Sequence, residues 1–417
     1  MTTRQTLTVL AVIRESSEER LRNLLNTRGD QLLNGHPSID FSGIETVHFA
    51  RWVIVPGCVN KGVKVPTRLA FCSNHDGPAE AQLADLVSRV PVALDEIYEL
   101  CEGYPEEGSR TAQSRTSFLK QRIVNNDAIF IGTPDRTLRQ IRQEDELRIA
   151  LQKYLDNHKS SGKSAVDVKR ELRDFVFSEK NLEWAKAPPP PRETTWYRVA
   201  LLGLAALFLW PFAVLWLIIL RLCFERTDKP LNMKPCELDT SLVKELERRE
   251  DIIAQSPFSQ LMELKHGKFR LMTIKGVLWL SNFSGRNIFK NGNIMFIPSI
   301  HFYAWVILPE GRLLFFSNFA GSWQNYLGDF INKAAFGLNG VLSNCMGFPK
   351  TYFLFFKGVL DVEHYKAWAR WANIPTQAFY SAYPGLNVKN INNNSMIRAG
   401  LLQDMSEEAS IEWLRRM

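Results

Sequence analysis

Val47-His48-Phe49-Ala50-Arg51-Trp52-Val53-Ile54-Val55-Pro56 returns later in the chain as Ile300-His301-Phe302-Tyr303-Ala304-Trp305-Val306-Ile307-Leu308-Pro309. The repetition continues outward. Arg68-Leu69-Ala70-Phe71-Cys72-Ser73-Asn74 is matched by Arg312-Leu313-Leu314-Phe315-Phe316-Ser317-Asn318. From there a single offset, 244 (318 minus 74), carries Leu83 to Leu327, Asp85 to Asp329, Cys101 to Cys345, Gly103 to Gly347 and Pro105 to Pro349. A shared register held over that span marks an internal duplication.

Each copy has the same local plan. Leu7–Ile13 alternates as a strand does, Ser16-x-x-Glu19 opens a helix as a capping box, and the His-x-x-x-Trp run is β-branched and aromatic. A further strand at 68–74, a helix at about 78–101 and a strand at Ala128–Gly132 complete the first copy. The second is expected to place strands near 260–265, 299–308, 312–318 and 351–357, with helices near 268–289 and 322–345. The order is β-α-β-β-α-β, so the expected class is α+β with two tandem ferredoxin-like modules. Such a module covers one sheet face with helices and leaves the other bare, which predicts sheet-to-sheet packing between modules. The plan resembles a fused dimeric α+β barrel.

Between the copies, Val199–Leu220 runs without a charge. A bilayer core demands about 20 such residues of a helix. Trp196 and Tyr197 stand where an interfacial aromatic belt would, and basic residues flank both ends. The expectation is one membrane-inserted apolar helix or helical hairpin; Pro211 at the centre, together with two modules that must lie on one side, favours a segment that dips in and returns. Both modules are expected on the cytoplasmic side. The resulting division is residues 1–140 first module, 141–186 charged helical connector, 187–198 Pro-rich spacer, 199–223 membrane segment, 224–255 linker, 256–375 second module and 376–417 C-terminal extension. The helix near 269–289 reads as core or as an interfacial helix against the bilayer.

Lys and Arg number 51 against 44 Asp and Glu, a formal charge of +7. No dense basic tract interleaved with aromatics is present, which weighs against nucleic acid and favours an anionic membrane surface. The six cysteines are scattered without metal-ligand spacing, so reduced structural thiols are expected and no metal site. Leu7–Ile13 is followed at once by Arg14 and Glu15 and does not read as a signal peptide.

Strict two-residue alternation places His48 with Trp52, and His301 with Tyr303 and Trp305, on faces turned toward the other module. It places Val47, Phe49, Arg51 and Val53, and in the second copy Ile300, Phe302, Ala304 and Val306, under the helices. Each histidine is then either a ligand or proton shuttle in an aromatic-lined cleft for a planar or lipidic molecule, or a structural residue bonded to backbone. Asn74, Asp76 and Asn318, at strand-to-helix turns, are candidate ligand-binding residues, or ordinary cap chemistry. The stretch Tyr380-Ser381-Ala382-Tyr383-Pro384-Gly385-Leu386, with the asparagines after it and Arg398, is a candidate polar rim for a carboxylate or phosphate headgroup, or a set of loop caps.

Asn74-His75-Asp76-Gly77 resembles the Asp-Gly turn of dye-decolourising peroxidases, haem enzymes on the same duplicated fold, although Ala320 replaces the acid in the second copy. The resemblance implies haem as cofactor and oxidoreductase chemistry. Hydrolase, P-loop and dinucleotide fingerprints are absent from the sequence. Two functions follow as expectations: binding of a membrane lipid or hydrophobic small molecule between the modules, or a non-catalytic membrane scaffold for a protein partner.

Overall fold

A computed structural model of the chain describes residues 4–35, 39–41, 43–60, 62–158, 162–188, 195–289 and 293–417. Most of the expected polyproline spacer, 189–194, lies outside the described residues.

The molecule is α+β. The first half supplies strands β1 (Arg4–Val12), β2 (Val47–Val55), β3 (Arg68–Asp76), β4 (Ile123–Val124) and β5 (Ala128–Ile131). The second half supplies β6 (Gln255–Glu263), β7 (Ile300–Ile307), β8 (Arg312–Ala320) and β9 (Ala378–Ser381). They assemble into a five-stranded sheet in the order β9-β2-β3-β1-β4 and a four-stranded sheet in the order β5-β7-β8-β6. Every pairing within these two sheets is antiparallel.

The halves therefore exchange their last strand. β5 leaves the first half to pair with β7, and β9 leaves the second half to pair with β2. The exchange corrects the expectation that each copy closes its own sheet, and it corrects the strand expected at 351–357. That segment forms a two-residue ladder, Thr351–Tyr352 with Phe356–Lys357, outside both main sheets. The exchange ties the copies through main-chain hydrogen bonds, which side-chain patterning does not encode.

The duplication extends beyond the strands. At an offset of 250 (383 minus 133), Ala128 corresponds to Ala378, Pro134 to Pro384, Ile141 to Ile391, Arg148 to Arg398 and Leu151 to Leu401. The helices that follow the exchanged strands, 138–157 and 388–401, are both capped by a side chain that accepts from the third helical amide: Thr137 in one, Asn387 in the other. The two helices join 165–178 and 407–414 around Leu147, Leu172, Ile397 and Trp413. The segments read as a connector and a C-terminal extension thus form one helical annex.

Helices 18–33 and 79–98 cover the outer face of the five-stranded sheet, and 268–287 with 323–342 cover that of the four-stranded sheet. Between the two sheets lies a third core of Phe49, Val53, Phe302, Val306, Phe316 and Phe379, among others. Arg51 is buried there. Its guanidinium donates to the carbonyls of Phe258 (3.0 Å) and Ser317 (3.1 Å) on the opposite sheet. Burial lowers its pKa to about 10. Of these, Phe49, Arg51, Val53, Phe302 and Val306 were expected under the helices, and for them the faces are inverted.

The apolar segment is one unbroken helix, Trp196–Ile219, that runs through Pro211 and continues as tighter and wider turns to Thr227. The expected hairpin break does not occur. None of its 18-residue apolar window is buried. All six cysteines are free thiols.

Candidate functional site

The face inversion has a local cause. In β2 the register steps from Val47 opposite His75 to Phe49 opposite Asn74, leaving His48 as the extra residue of a bulge. In β7 it steps from Ile300 opposite Phe319 to Phe302 opposite Asn318, leaving His301 in the same position. A bulge inserts one residue and resets the alternation beyond it. Both histidines consequently sit with Phe49 and Phe302 between the sheets, while Trp52, Tyr303 and Trp305 fall on the helix-covered faces. Trp52 packs on Phe41 and Phe71. Tyr303 shares a 2.9 Å hydrogen bond with Ser281 of the covering helix. The histidines and the three aromatics do not line a common space.

His48 is enclosed by a defined set of partners. Nε2 lies 3.1 Å from Asp76 Oδ1, and Nδ1 lies 3.1 Å from the Tyr383 hydroxyl. Asp76 Oδ2 accepts from the Leu138 amide (2.7 Å), at the start of helix 138–157. Burial, with the charge of Arg4, pulls the His48 pKa down to about 4 against the opposing pull of Asp76, so the ring is neutral at pH 7. Burial pushes the Asp76 carboxyl up, but the hydrogen bond and charge of His48, the Leu138 amide and Arg4 outweigh it and hold it below its ordinary value. An ionised Asp76 accepts the Nε2 proton, which leaves Nδ1 to accept from Tyr383. Every ring position is thus assigned.

His301 has no such set. Its Nε2 is buried without a hydrogen-bond partner, and burial with the Arg4 charge lowers its pKa to about 3. Asn318, equivalent to Asn74, is also buried with both amide atoms unpartnered.

Haem does not fit this space. Both imidazoles are at most 2% exposed; Tyr383 packs edge-on to His48, Phe49 edge-on to His301, and Phe379 stacks on Phe49 behind them. The volume a porphyrin would need is already filled by side chains.

Space opens beside the network instead. A cleft of about 840 Å³ is bounded by β1, the segment 123–126, β5, the 134–140 turn, and the facing residues Thr195, Arg198, Gly285 and Arg286. Arg4 forms its inner wall. It is 6% exposed, and Nη1 donates to the carbonyl (3.0 Å) and hydroxyl (2.9 Å) of Thr133. Nη2 donates to Asn74 Oδ1, while Nε is buried without a partner among the described residues. Thr6 Oγ1, also in the wall, is buried without a partner. Among the described residues of the lining, the cations Arg4, Arg198 and Arg286 are accompanied by a single carboxylate, Asp135.

Of the residues singled out in the sequence, His48, Asp76, Asn74 and Tyr383 come together, and Asn74 bridges to Arg4. Arg398 lies in the helical annex, bonded to Glu144 (3.3 Å) and the Ala187 carbonyl (2.8 Å), and takes no part. Sequence reasoning missed Arg4, Arg198 and Arg286. The signal for Arg4 was present: Leu7, Val9 and Ala11 face the helices, so a charge three residues before Leu7, out of phase with them, enters the opposite face of the sheet.

Comparison with protein-family models, with curated proteins and with solved structures finds no match for this chain.

Proposed function

We propose that this protein is a membrane-attached binder of an anionic amphiphile, whose phosphate or carboxylate headgroup enters the 840 Å³ cleft beside the apolar helix. The fold is read as two ferredoxin-like repeats fused and stitched together by exchange of their last strands. The observation that carries the function is Arg4: a guanidinium 94% buried in the cleft lining, held in place by Thr133 and Asn74, with Arg198 and Arg286 in the same lining. A fixed guanidinium recognises an oxyanion through charge-assisted hydrogen bonds, and burial strengthens them. The volume lies within the usual range for small-molecule sites, roughly 300–1,000 Å³. Arg198, in the first turn of the apolar helix and in the cleft lining, supports this reading because a tail leaving the cleft there would run beside that helix.

The Asp76–His48–Tyr383 chain serves this site by position. It fixes the end of β3, and with it Asn74, which in turn orients Arg4.

Full-length protein extracted in mild detergent should carry an anionic lipid detectable by native mass spectrometry. Arg286→Ala, at an exposed position, should weaken phosphatidylglycerol binding several-fold, and Arg4→Gln should abolish it while the thermal transition persists. Equal binding of phosphatidylcholine and phosphatidylglycerol by the wild type, or equal occupancy in both variants, would overturn the reading. Competition by inorganic phosphate alone would point to a free anion as the ligand.

A further inference from the structure

Helix α1 (Glu18–Leu33) and its counterpart in the second half, α2 (Lys268–Asn287), cover equivalent sheet faces with opposite exteriors. α1 balances Glu18, Glu19 and Asp30 against three arginines and exposes no large apolar side chain. α2 exposes Leu271, Met272, Trp279 and Leu280 and contains no acidic residue. Next to it the segment 346–360 exposes Met346, Phe353, Phe356 and Leu360. Taken with the apolar helix 196–219, these three segments carry seven Lys and Arg and not one Asp or Glu.

The apolar helix is tied to this surface at both ends. At its start, Thr195 Oγ1 donates to the Asn287 carbonyl (3.3 Å), the last residue of α2. Near its end, Trp216 Nε1 donates to Thr273 Oγ1 (3.0 Å) and its ring stacks on Phe269 at 4.0 Å, in the first turns of α2. Beyond it the buried Glu225 accepts from the Thr351 hydroxyl (3.1 Å) and the Phe353 (2.8 Å) and Leu354 (2.7 Å) amides. Tyr352 lies between Arg221 (4.1 Å) and Lys357 (4.7 Å).

Those ties restrict how a bilayer is met. A 24-residue helix is about 36 Å long and α2 about 30 Å, so the two lie alongside each other over most of their lengths. Standing the apolar helix upright would draw α2, with the exposed Lys275 at its middle, through the hydrocarbon, where a lone charge is strongly disfavoured. Laid flat, the same surface puts Trp279 and Leu280 at the acyl boundary and its cations at headgroup level.

We infer that the helix 196–219, α2 and the segment 346–360 form one docking surface that lies in the plane of an anionic leaflet, with the apolar helix embedded lengthwise and both of its ends on one side. The inference rests on the membrane-attachment reading and specifies its partner and geometry. It leaves the headgroup cleft at the rim of the buried surface, open to lipid within the same leaflet.

Two measurements on the full chain test it. In a Cys58→Ser, Cys223→Ser background, Glu183→Cys before the helix and native Cys236 after it are probed with an impermeant maleimide on sealed phosphatidylcholine–phosphatidylglycerol vesicles. Both should label from outside; protection of one until detergent is added overturns the in-plane arrangement while leaving membrane attachment intact. Separately, Trp279→Glu with Leu280→Glu should lower partitioning into these vesicles by about tenfold or more, with Val63→Glu on the first half as an unchanged control. Unaltered partitioning of the double variant removes α2 from the surface. Wild-type protein that does not float with vesicles removes the attachment reading itself, and this inference with it.

Discussion

His48 and His301 occupy the same bulge in the two halves, and their hydrogen-bonding surroundings differ. Where the first finds Asp76 and Tyr383, the second finds the equivalents Ala320 and Thr133. One ring is therefore fully hydrogen-bonded and the other buried with an idle nitrogen. The outer faces differ in the reverse sense, since α1 is a solvated helix and α2 presents Met272, Trp279 and Leu280 outward. The lesson is a division of labour: after duplication, polar chemistry is concentrated in the first half and surface apolarity in the second. Strand exchange keeps the two together.

The largest effect that would probe this asymmetry is loss of Asp76. Asp76→Ala removes the acceptor for His48 and for the Leu138 amide and leaves Arg4 without its nearby anion. Stranding the buried His48 N–H and the Leu138 amide costs about 1–3 kcal/mol for each. The shift in urea midpoint should be of that size, and it should carry a loss of lipid binding. A change under 1 kcal/mol would place the polar centre elsewhere.

Glu225 is the corresponding anchor in the second half. Glu225→Ala strands two backbone amides and a hydroxyl, at about 1–3 kcal/mol for unsatisfied groups. The expected result is faster amide exchange at 351–354 and along the end of the apolar helix, with the first half unchanged. Exchange that rises equally in both halves would break the division.

Acid should act through the histidines. The folded pKa values of His48 and His75, about 4, and of His301, about 3, all lie below the ordinary 6.5. The unfolded chain binds these protons first, so stability is fully present above about pH 6.5 and declines as pH falls toward the folded values. At pH 5 each ring costs up to about 2 kcal/mol. His301→Phe, which removes one titrating group without a hydrogen-bonded partner, should keep more of its neutral-pH stability at pH 5 than the wild type. His48→Phe should lower stability at both pH values, because it also leaves Asp76 and Tyr383 without a partner.

Much of this was legible beforehand. The repeated His-x-x-x-Trp runs marked the duplication, the charge-free run marked the helix, and His48 and Asp76 were singled out separately, without the bond that joins them. What escaped has physical reasons. A bulge adds one residue without any mark in composition, so strict alternation sent Trp52, Tyr303 and Trp305 to the wrong face. Strand exchange is settled by main-chain bonding between distant segments, so Ala128–Ile131 read correctly as a strand but was given to its own half. Pro211 suggested a break, yet a solvent- or lipid-facing helix can leave one carbonyl unbonded at a single turn and continue.

The finest test is to rebuild the missing acid. Ala320 stands 244 residues after Asp76 at the end of the equivalent strand, as Val388 stands for Leu138 at the start of the equivalent helix. Ala320→Asp should therefore place a carboxylate within reach of both His301 Nε2 and the Val388 amide, in a region where Arg4 already favours negative charge. The new acceptor should raise the His301 pKa from about 3 toward the value of about 4 held by His48, because a facing carboxylate opposes the burial that depresses it. Stability at pH 7 should change by about 1 kcal/mol or less, since one hydrogen bond gained offsets the desolvation of one charge. Histidine ring signals followed by NMR titration report the shift directly. If His301 does not move, the two bulges are alike in backbone only, and the loss of the acid at 320 was not what separated the halves.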